Sequence, residues 1–260
     1  YRLGFHAEYT TKREILEGIS ELAQKYKAPV FTHSSETKSE VEGCIERYGK
    51  TPTELFEEIG LWNWGGGGYH SVWLSDNDLQ IYKKRGLWAI INAGSNSKLA
   101  SGICDVQKMS NMGINLAVGT DGPSSNNALD MFREMYLISV LQKLKYNDAA
   151  AMDANEILKA ATSGSAKCMG LTDCDCIAEG KLADLMIIDL ERPNMQPINN
   201  ITKNLVYSGS KDDVKMTMIN GKILYENGEF VNIDKEEIYA KAQEICNRLK
   251  NKCIKKASQS

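Results

Sequence analysis

Charge of one sign is missing from this 260-residue chain: 31 Lys and Arg stand against 34 Asp and Glu, a formal net charge of -3. That balance provides no basic field for a phosphate backbone and no long acidic tail, so nucleic acid is not an expected partner. Long apolar runs are missing too. None approaches the ~18 residues that a membrane-spanning helix needs, and the N-terminus has no basic-then-apolar leader, so no membrane partner is expected. Cysteine is present in an odd number, with Cys44, Cys104, Cys168, Cys174, Cys176, Cys246 and Cys253 scattered over dissimilar contexts. This suits reduced thiols better than a disulfide framework, and a soluble, cytoplasmic protein is expected. Cys174 and Cys176 form a lone C-x-C that reads as two small residues in a turn, because no second pair stands at a zinc-ribbon spacing.

What is present is a rhythm. Short apolar runs at residues 3–5, 29–32, 69–73, 88–92 and 115–119 alternate with amphipathic segments, and each run ends in small or polar residues. Thr11 with Glu14, Ser39 with Glu42, Ser75 with Asp78 and Asp153 with Glu156 place an acidic residue three after an expected helix N-cap. Behind the first of these, Ile15, Ile19, Leu22 and Tyr26 trace one apolar helical face. Strands leading repeatedly into loops and helices imply a parallel α/β architecture, either a barrel or a doubly wound sheet. The polar residues favour the barrel: His6, His33, His70, Asn92 and Asp121 all fall at the C-terminal ends of the runs, where barrel enzymes keep their sites.

Near Gly180 the pattern changes to alternating strands around Asn220-Gly221 and Asn227-Gly228, which predict tight antiparallel hairpins. A terminal helix follows, capped by Asp234 with Glu237 and carrying Ile238, Ala242, Ile245 and Leu249, before a polar tail over residues 250–260. The expected organisation is therefore an α/β, TIM-type partial barrel over residues 1–180, a small β portion over 181–232, and a helix with tail over 233–260.

The chain has only three histidines, and all three end predicted strands: His6, His33 and His70. A single such histidine is more simply a satisfied side chain at the rim of a core. Three at equivalent positions, with Asp121 in a fourth, point to chemistry. His33 and Asp121 together offer ligands suited to Zn²⁺ or Fe²⁺, although Gly119-Thr120-Asp121-Gly122 alone reads equally as an Asx turn. Glu36, three residues beyond His33, is placed to move a proton beside a bound water, and is equally a helix N-terminal carboxylate. Gly65-Gly66-Gly67-Gly68 lacks the Lys-Ser/Thr ending of a phosphate loop and reads as a flexible or closely packed loop before a strand.

His6-Ala7-Glu8-Tyr9-Thr10, His33-x-x-Glu36-Thr37, His70, Asn96-x-Lys98-Leu99-Ala100-Ser101-Gly102, Gly119-Thr120-Asp121-Gly122-x-x-Ser125-Asn126-Asn127 and Glu179-Gly180-Lys181-x-Ala183-Asp184 follow one another in this order. The combination resembles the chlorohydrolase and adenosylhomocysteine/methylthioadenosine deaminase branch of the amidohydrolase superfamily, over essentially the whole chain. The resemblance implies strands 4 to 8 of a (β/α)8 barrel and hydrolysis of the exocyclic amine of an adenine-type nucleoside. It implies one divalent metal, zinc or iron, held by His33 and Asp121, with Asp121 also accepting a proton from water. Glu36 would carry a proton to the ring, His70 would orient the hydroxide, and His6, Glu36, His70, Ser125 and Asn96 would contact the substrate.

The family's first barrel strand carries a His-x-His pair that is found nowhere in this sequence. The resemblance therefore implies a metal site that is incomplete and a chain inactive alone, which forms a homo-oligomer or needs the missing N-terminal half. The start at Tyr1 on an internal strand favours a fragment over a two-chain enzyme or a truncated product. Two other readings stand beside the deaminase: an amidohydrolase acting on a triazine, guanine, cytosine or formylated amine, and a non-catalytic half-barrel that binds a ligand without turnover.

Overall fold

The computed structural model describes residues 2–257, so Tyr1 and the last three residues of the expected polar tail lie outside the described residues. Strand β1 (Leu3–Gly4) leads to helix α1 (Arg13–Tyr26), β2 (Val30–Ser34) to α2 (Lys38–Tyr48) and α3 (Pro52–Glu58), and β3 (Gly66–His70) to α4 (Asp76–Arg85). Next, β4 (Trp88–Ile91) leads to α5 (Ala93–Lys98) and α6 (Val106–Asn111), and β5 (Asn115–Val118) to α7 (Pro123–Asn126) and α8 (Met131–Tyr146). Helices α9 (Ala154–Lys159) and α10 (Ser165–Cys168) follow, joined by a π turn over Ala160–Gly164. The five strands are parallel and lie in chain order, β1-β2-β3-β4-β5. A doubly wound sheet reverses its strand order at a switch point. This one does not, and it is a segment of a TIM-type barrel, as expected.

Local chemistry explains where the helices begin. Ser75 and Asp78 form a reciprocal capping box, and the Asp153 side chain accepts from the Asn155 N–H. Two expected caps are displaced. The Thr11 N–H is already used by Glu8 O in a 3₁₀ turn, so α1 starts at Arg13. Thr37, not Ser39, caps α2, because its hydroxyl captures the Glu40 N–H. The buried face of α1 is also not the expected one: Leu16, Ser20 and Ala23 are buried, whereas Ile15, Leu22 and Tyr26 are exposed. Small residues let the helix approach closely, and the Ser20 hydroxyl donates to Ile59 O at 2.6 Å.

Gly66, Gly67 and Gly68 of the glycine run belong to strand β3, which starts three residues earlier than the hydrophobic signal at Tyr69 suggested. It is buried between β2 and β4, where a Cβ has no room: one built on Gly66 (φ 127°) would lie 1.8 Å from Val30 O, and one on Gly67 2.4 Å from Trp88 O. We expect Gly67→Ala to lower stability by roughly 3 kcal/mol, since neither offending group is a flexible side chain. Urea unfolding checks this, and an unchanged midpoint would contradict the register. Phe31, Ile90, Ala117 and Cys168, with Tyr69 and Trp88, form the cluster on one face of the sheet. Alternation along β2 puts His33 on the same face as Phe31.

The chain divides into two compact units, residues 1–178 with 190–211, and residues 179–189 with 212–257 of those described. In the first, α11 (Ile201–Tyr207) returns to α8, where the Ser139 hydroxyl donates to Tyr207 Oη at 2.9 Å. In the second, β6 (Leu185–Ile188), β7 (Val214–Ile219), β8 (Lys222–Glu226) and β9 (Glu229–Phe230) form an antiparallel sheet in chain order. Asn220 (φ 48°) and Gly221 (φ 75°) make the expected hairpin turn with both central residues left-handed. Helix α12 (Lys235–Ala257) is capped by Asp234 and runs seven residues past the start of the expected tail. Its Ile238, Ile245 and Leu249 are exposed. All seven cysteines are free, and among the described residues no helix is long and apolar enough to cross a membrane.

Candidate active site

The C-terminal ends of β2, β3 and β5 bring His33, His70 and Asp121 together. One ligand atom from each lies within 4.8 Å of the others, the one such group found among the described residues. His33 is held by its own neighbour strand: His6 O accepts both the His33 backbone N–H, at 2.9 Å, and Nδ1, at 2.8 Å. His70 is 1% exposed, and its Nδ1 lies 2.7 Å from Asn96 Oδ1. An acceptor oxygen at each Nδ1 requires the proton there, which leaves both Nε2 lone pairs free for a ligand role. Burial, followed by the neighbouring His70 and His6, pushes His33 below the usual histidine range despite the opposing bond to His6 O, which keeps the ring neutral and able to coordinate.

Asp121 sits at φ 59° on the tight turn after β5. Its Oδ2 accepts from Ser95 Oγ at 2.7 Å and from Ser125 Oγ at 2.5 Å. Burial raises its pKa, but the bonds from Ser125, Ser95 and the Gly122 N–H outweigh that, and the carboxyl lies below its ordinary range. Ser35 (54°), His70 (69°) and Ser71 (50°) share the left-handed backbone of Asp121. Non-glycine residues pay for this conformation, and its clustering at one end of one sheet marks a site whose surroundings over-determine its geometry.

Glu36 follows β2 directly. Its Oε1 accepts from Ser101 Oγ at 3.0 Å, and its Oε2 lies 3.7 Å from His70 Nε2, on the side of His70 that faces the other ligand atoms. The loop carrying it is fixed from below by Glu40, whose carboxylate accepts the N–H groups of Ser35 (2.9 Å) and Glu36 (2.8 Å). Burial holds Glu40 above the ordinary carboxyl range despite these bonds.

Of the residues expected to contact a substrate, His6 is exposed with its ring 4.4 Å from that of His33, and Ser125 is half-buried against Asp121. Asn96 is 2% exposed and stands behind His70. Ser95, Glu40 and Glu134 did not stand out in the sequence. The partners of Ser95 and Glu134, Asp121 and Gly94, lie 26 and 40 residues away, so no local pattern announces those two. Two imidazole nitrogens and a carboxylate oxygen at this separation are donors of the kind that suit Zn²⁺. Cys174 and Cys176 do not join the cluster.

The amidohydrolase family model matches residues 1–224. A 5-methylthioadenosine/S-adenosylhomocysteine deaminase from Pyrococcus furiosus is 42% identical over 236 residues, covering 91% of this chain and 56% of the relative. A 5'-deoxyadenosine deaminase from Methanopyrus kandleri is 37% identical over 249 residues, 96% of this chain and 58% of the relative. The chain thus spans little more than half the length of these curated relatives. Among solved structures, an adenosine deaminase from Xanthomonas campestris with bound zinc superposes with a TM-score of 0.92 at 33% identity, covering 96% of this chain and 57% of that one. A zinc complex of atrazine chlorohydrolase from Arthrobacter aurescens superposes with a TM-score of 0.86 at 23% identity, over 93% of this chain and 54% of that one, a likeness of fold alone.

Proposed function

This chain belongs to the amidohydrolase family, and from that premise we propose that it supplies the catalytic carboxylates and part of the metal site for hydrolytic deamination of an adenine-type nucleoside. The observation that carries this reading is the convergence of His33, His70 and Asp121 within 4.8 Å, with Glu36 against His70. The names of the relatives support the substrate class: methylthioadenosine, adenosylhomocysteine and 5'-deoxyadenosine share an adenine ring and differ at the 5' position.

His33 and Asp121 would hold a divalent cation, with His70 in reach, and zinc fits the donors. When bound, such an ion brings the pKa of a water toward ~7. Asp121 accepts the proton of the attacking water, and Ser95 and Ser125 keep its acceptor orbital aimed. Glu36 delivers its proton to the ring nitrogen as the ring carbon is attacked. The hydroxyl added to that carbon then gives up its proton, which Glu36 passes to the departing amine. The C–N bond breaks with release of ammonia, the ring keeps C=O and N–H, and the proton taken by Asp121 returns to Glu36. His70, fixed by Asn96, orients the oxygen nucleophile from its Nε2. His6 and Ser125 border the substrate.

The test is a substrate panel run on the enzyme extended N-terminally to the length of its relatives. We expect ammonia release from methylthioadenosine, adenosylhomocysteine and 5'-deoxyadenosine to exceed that from guanine or cytosine by about 10²-fold in kcat/KM, because a site that hydrogen-bonds one ring edge leaves its polar groups unpaired with another. A preference for guanine, cytosine or a chlorotriazine would overturn the assignment.

A further inference from the structure

Helix α8 carries a carboxylate with no part in the chemistry above. Glu134 is 0% exposed, and its hydrogen bonds go to neutral groups: Oε2 accepts the Gly94 N–H at 2.8 Å, and Oε1 accepts Asn126 Nδ2 at 2.7 Å. The second hydrogen of that amide goes to Thr120 O, also at 2.7 Å. Removing a carboxylate from water for two neutral partners is a poor way to gain stability. What these partners have in common is their place in the chain. Gly94 and Asn126 are the immediate neighbours of Ser95 and Ser125, the two hydroxyls that hold Asp121 Oδ2, and Thr120 immediately precedes Asp121. The first turn of α5 and the short helix α7 are thus pinned to one carboxylate directly beside the atoms that aim Asp121. Gly94 is built for the approach, since a Cβ there would lie 2.3 Å from Glu134 Oε1 and 2.7 Å from Asn126 Nδ2.

We infer that Glu134 is a positioning residue for Asp121: it fixes the separation of the two short helices whose serines orient the Asp121 carboxylate, and so sets the geometry in which that carboxylate meets a divalent cation. The inference rests on reading Asp121 as a metal ligand. Gln cannot take over the role fully. Its amide accepts from one partner and presents hydrogens to the other, and Asn126 is prevented from turning over by Thr120 O, which would then face an oxygen.

The experiment compares the enzyme extended N-terminally to the length of its relatives with its Glu134→Gln, Glu134→Ala and Gly94→Ala variants, and with Ser139→Ala as the control. Ser139→Ala breaks a part-buried bond on the same helix, to Tyr207 and away from the site. The first readout is hydrogen exchange by mass spectrometry. We expect exchange over residues 93–99 and 119–127 to quicken about 10-fold or more in the Glu134 and Gly94 variants, with β2 and β3 unchanged. The second is Co²⁺ affinity followed by visible absorption. A ligand that loses its supporting partner weakens binding about 10- to 100-fold, in the order wild type, Gln, Ala, whereas Ser139→Ala leaves it unchanged.

Gly94→Ala displaces the carboxylate without deleting it, so it tests the same contact should the Glu134 variants fail to fold. Exchange that is unaltered in these two segments, or faster everywhere as in a merely destabilised control, would overturn the inference. A wild-type extended enzyme that takes up no Co²⁺ would overturn the metal reading alone, leaving exchange to decide on Glu134.

Discussion

Replacing Asp121 by Asn in the N-terminally extended enzyme lowers kcat by about 10³-fold or more, the upper part of the range for loss of a general base. Asn keeps the size of the side chain and an oxygen able to accept from Ser95 and Ser125, so the turn after β5 retains its shape. What is lost is the negative charge toward a cation and the group assigned to take the proton of the attacking water. Both losses act on the same step, which is why this substitution has the largest expected effect. Steady-state kinetics of ammonia release check it, with circular dichroism to establish an unchanged fold. A variant within tenfold of the parent would sink the role given to Asp121.

Glu36→Gln comes second, with a fall in kcat of about 10²–10⁴-fold and little change in KM. The hydroxyl of Ser101 can rotate to serve either an amide or a carboxylate, so the side chain stays where it is while its ability to carry a proton disappears. The split between the two kinetic constants matters. If Glu36 served mainly to bind the ring in the ground state, KM would rise and kcat would hold. Ser101→Ala should cost far less than Glu36→Gln, because Glu36 is also held by its backbone N–H on Glu40.

Much of this site was legible in the sequence, and for a definite reason. His33, His70 and Asp121 are polar residues at the ends of short apolar runs, and a parallel strand delivers its C-terminal end to the same side of the sheet as its neighbours. The left-handed turn at Asn220-Gly221 and the caps at Ser75 and Asp153 were legible because each depends on residues within three or four positions.

What escaped depends on contacts between distant segments. A glycine run carries no hydrophobic signal, so β3 could be placed only by the strands on either side of it. The exposed Ile15, Leu22 and Tyr26 outweighed Ser20 and Ala23 in any hydrophobic count, although the smaller residues are the ones that let α1 dock. Glu134 and Ser95 look like ordinary helical residues until the fold sets them beside Gly94 and Asp121.

The measurement that bears most directly on the central claim is metal content together with ammonia release from methylthioadenosine and adenosylhomocysteine, made on this chain alone and on the chain extended N-terminally to include a His-x-His strand. The account predicts retained zinc and ammonia release in the extended form and neither in the short one. Turnover by the short chain, or an extended enzyme that holds zinc yet releases no ammonia from any adenine nucleoside, would contradict it.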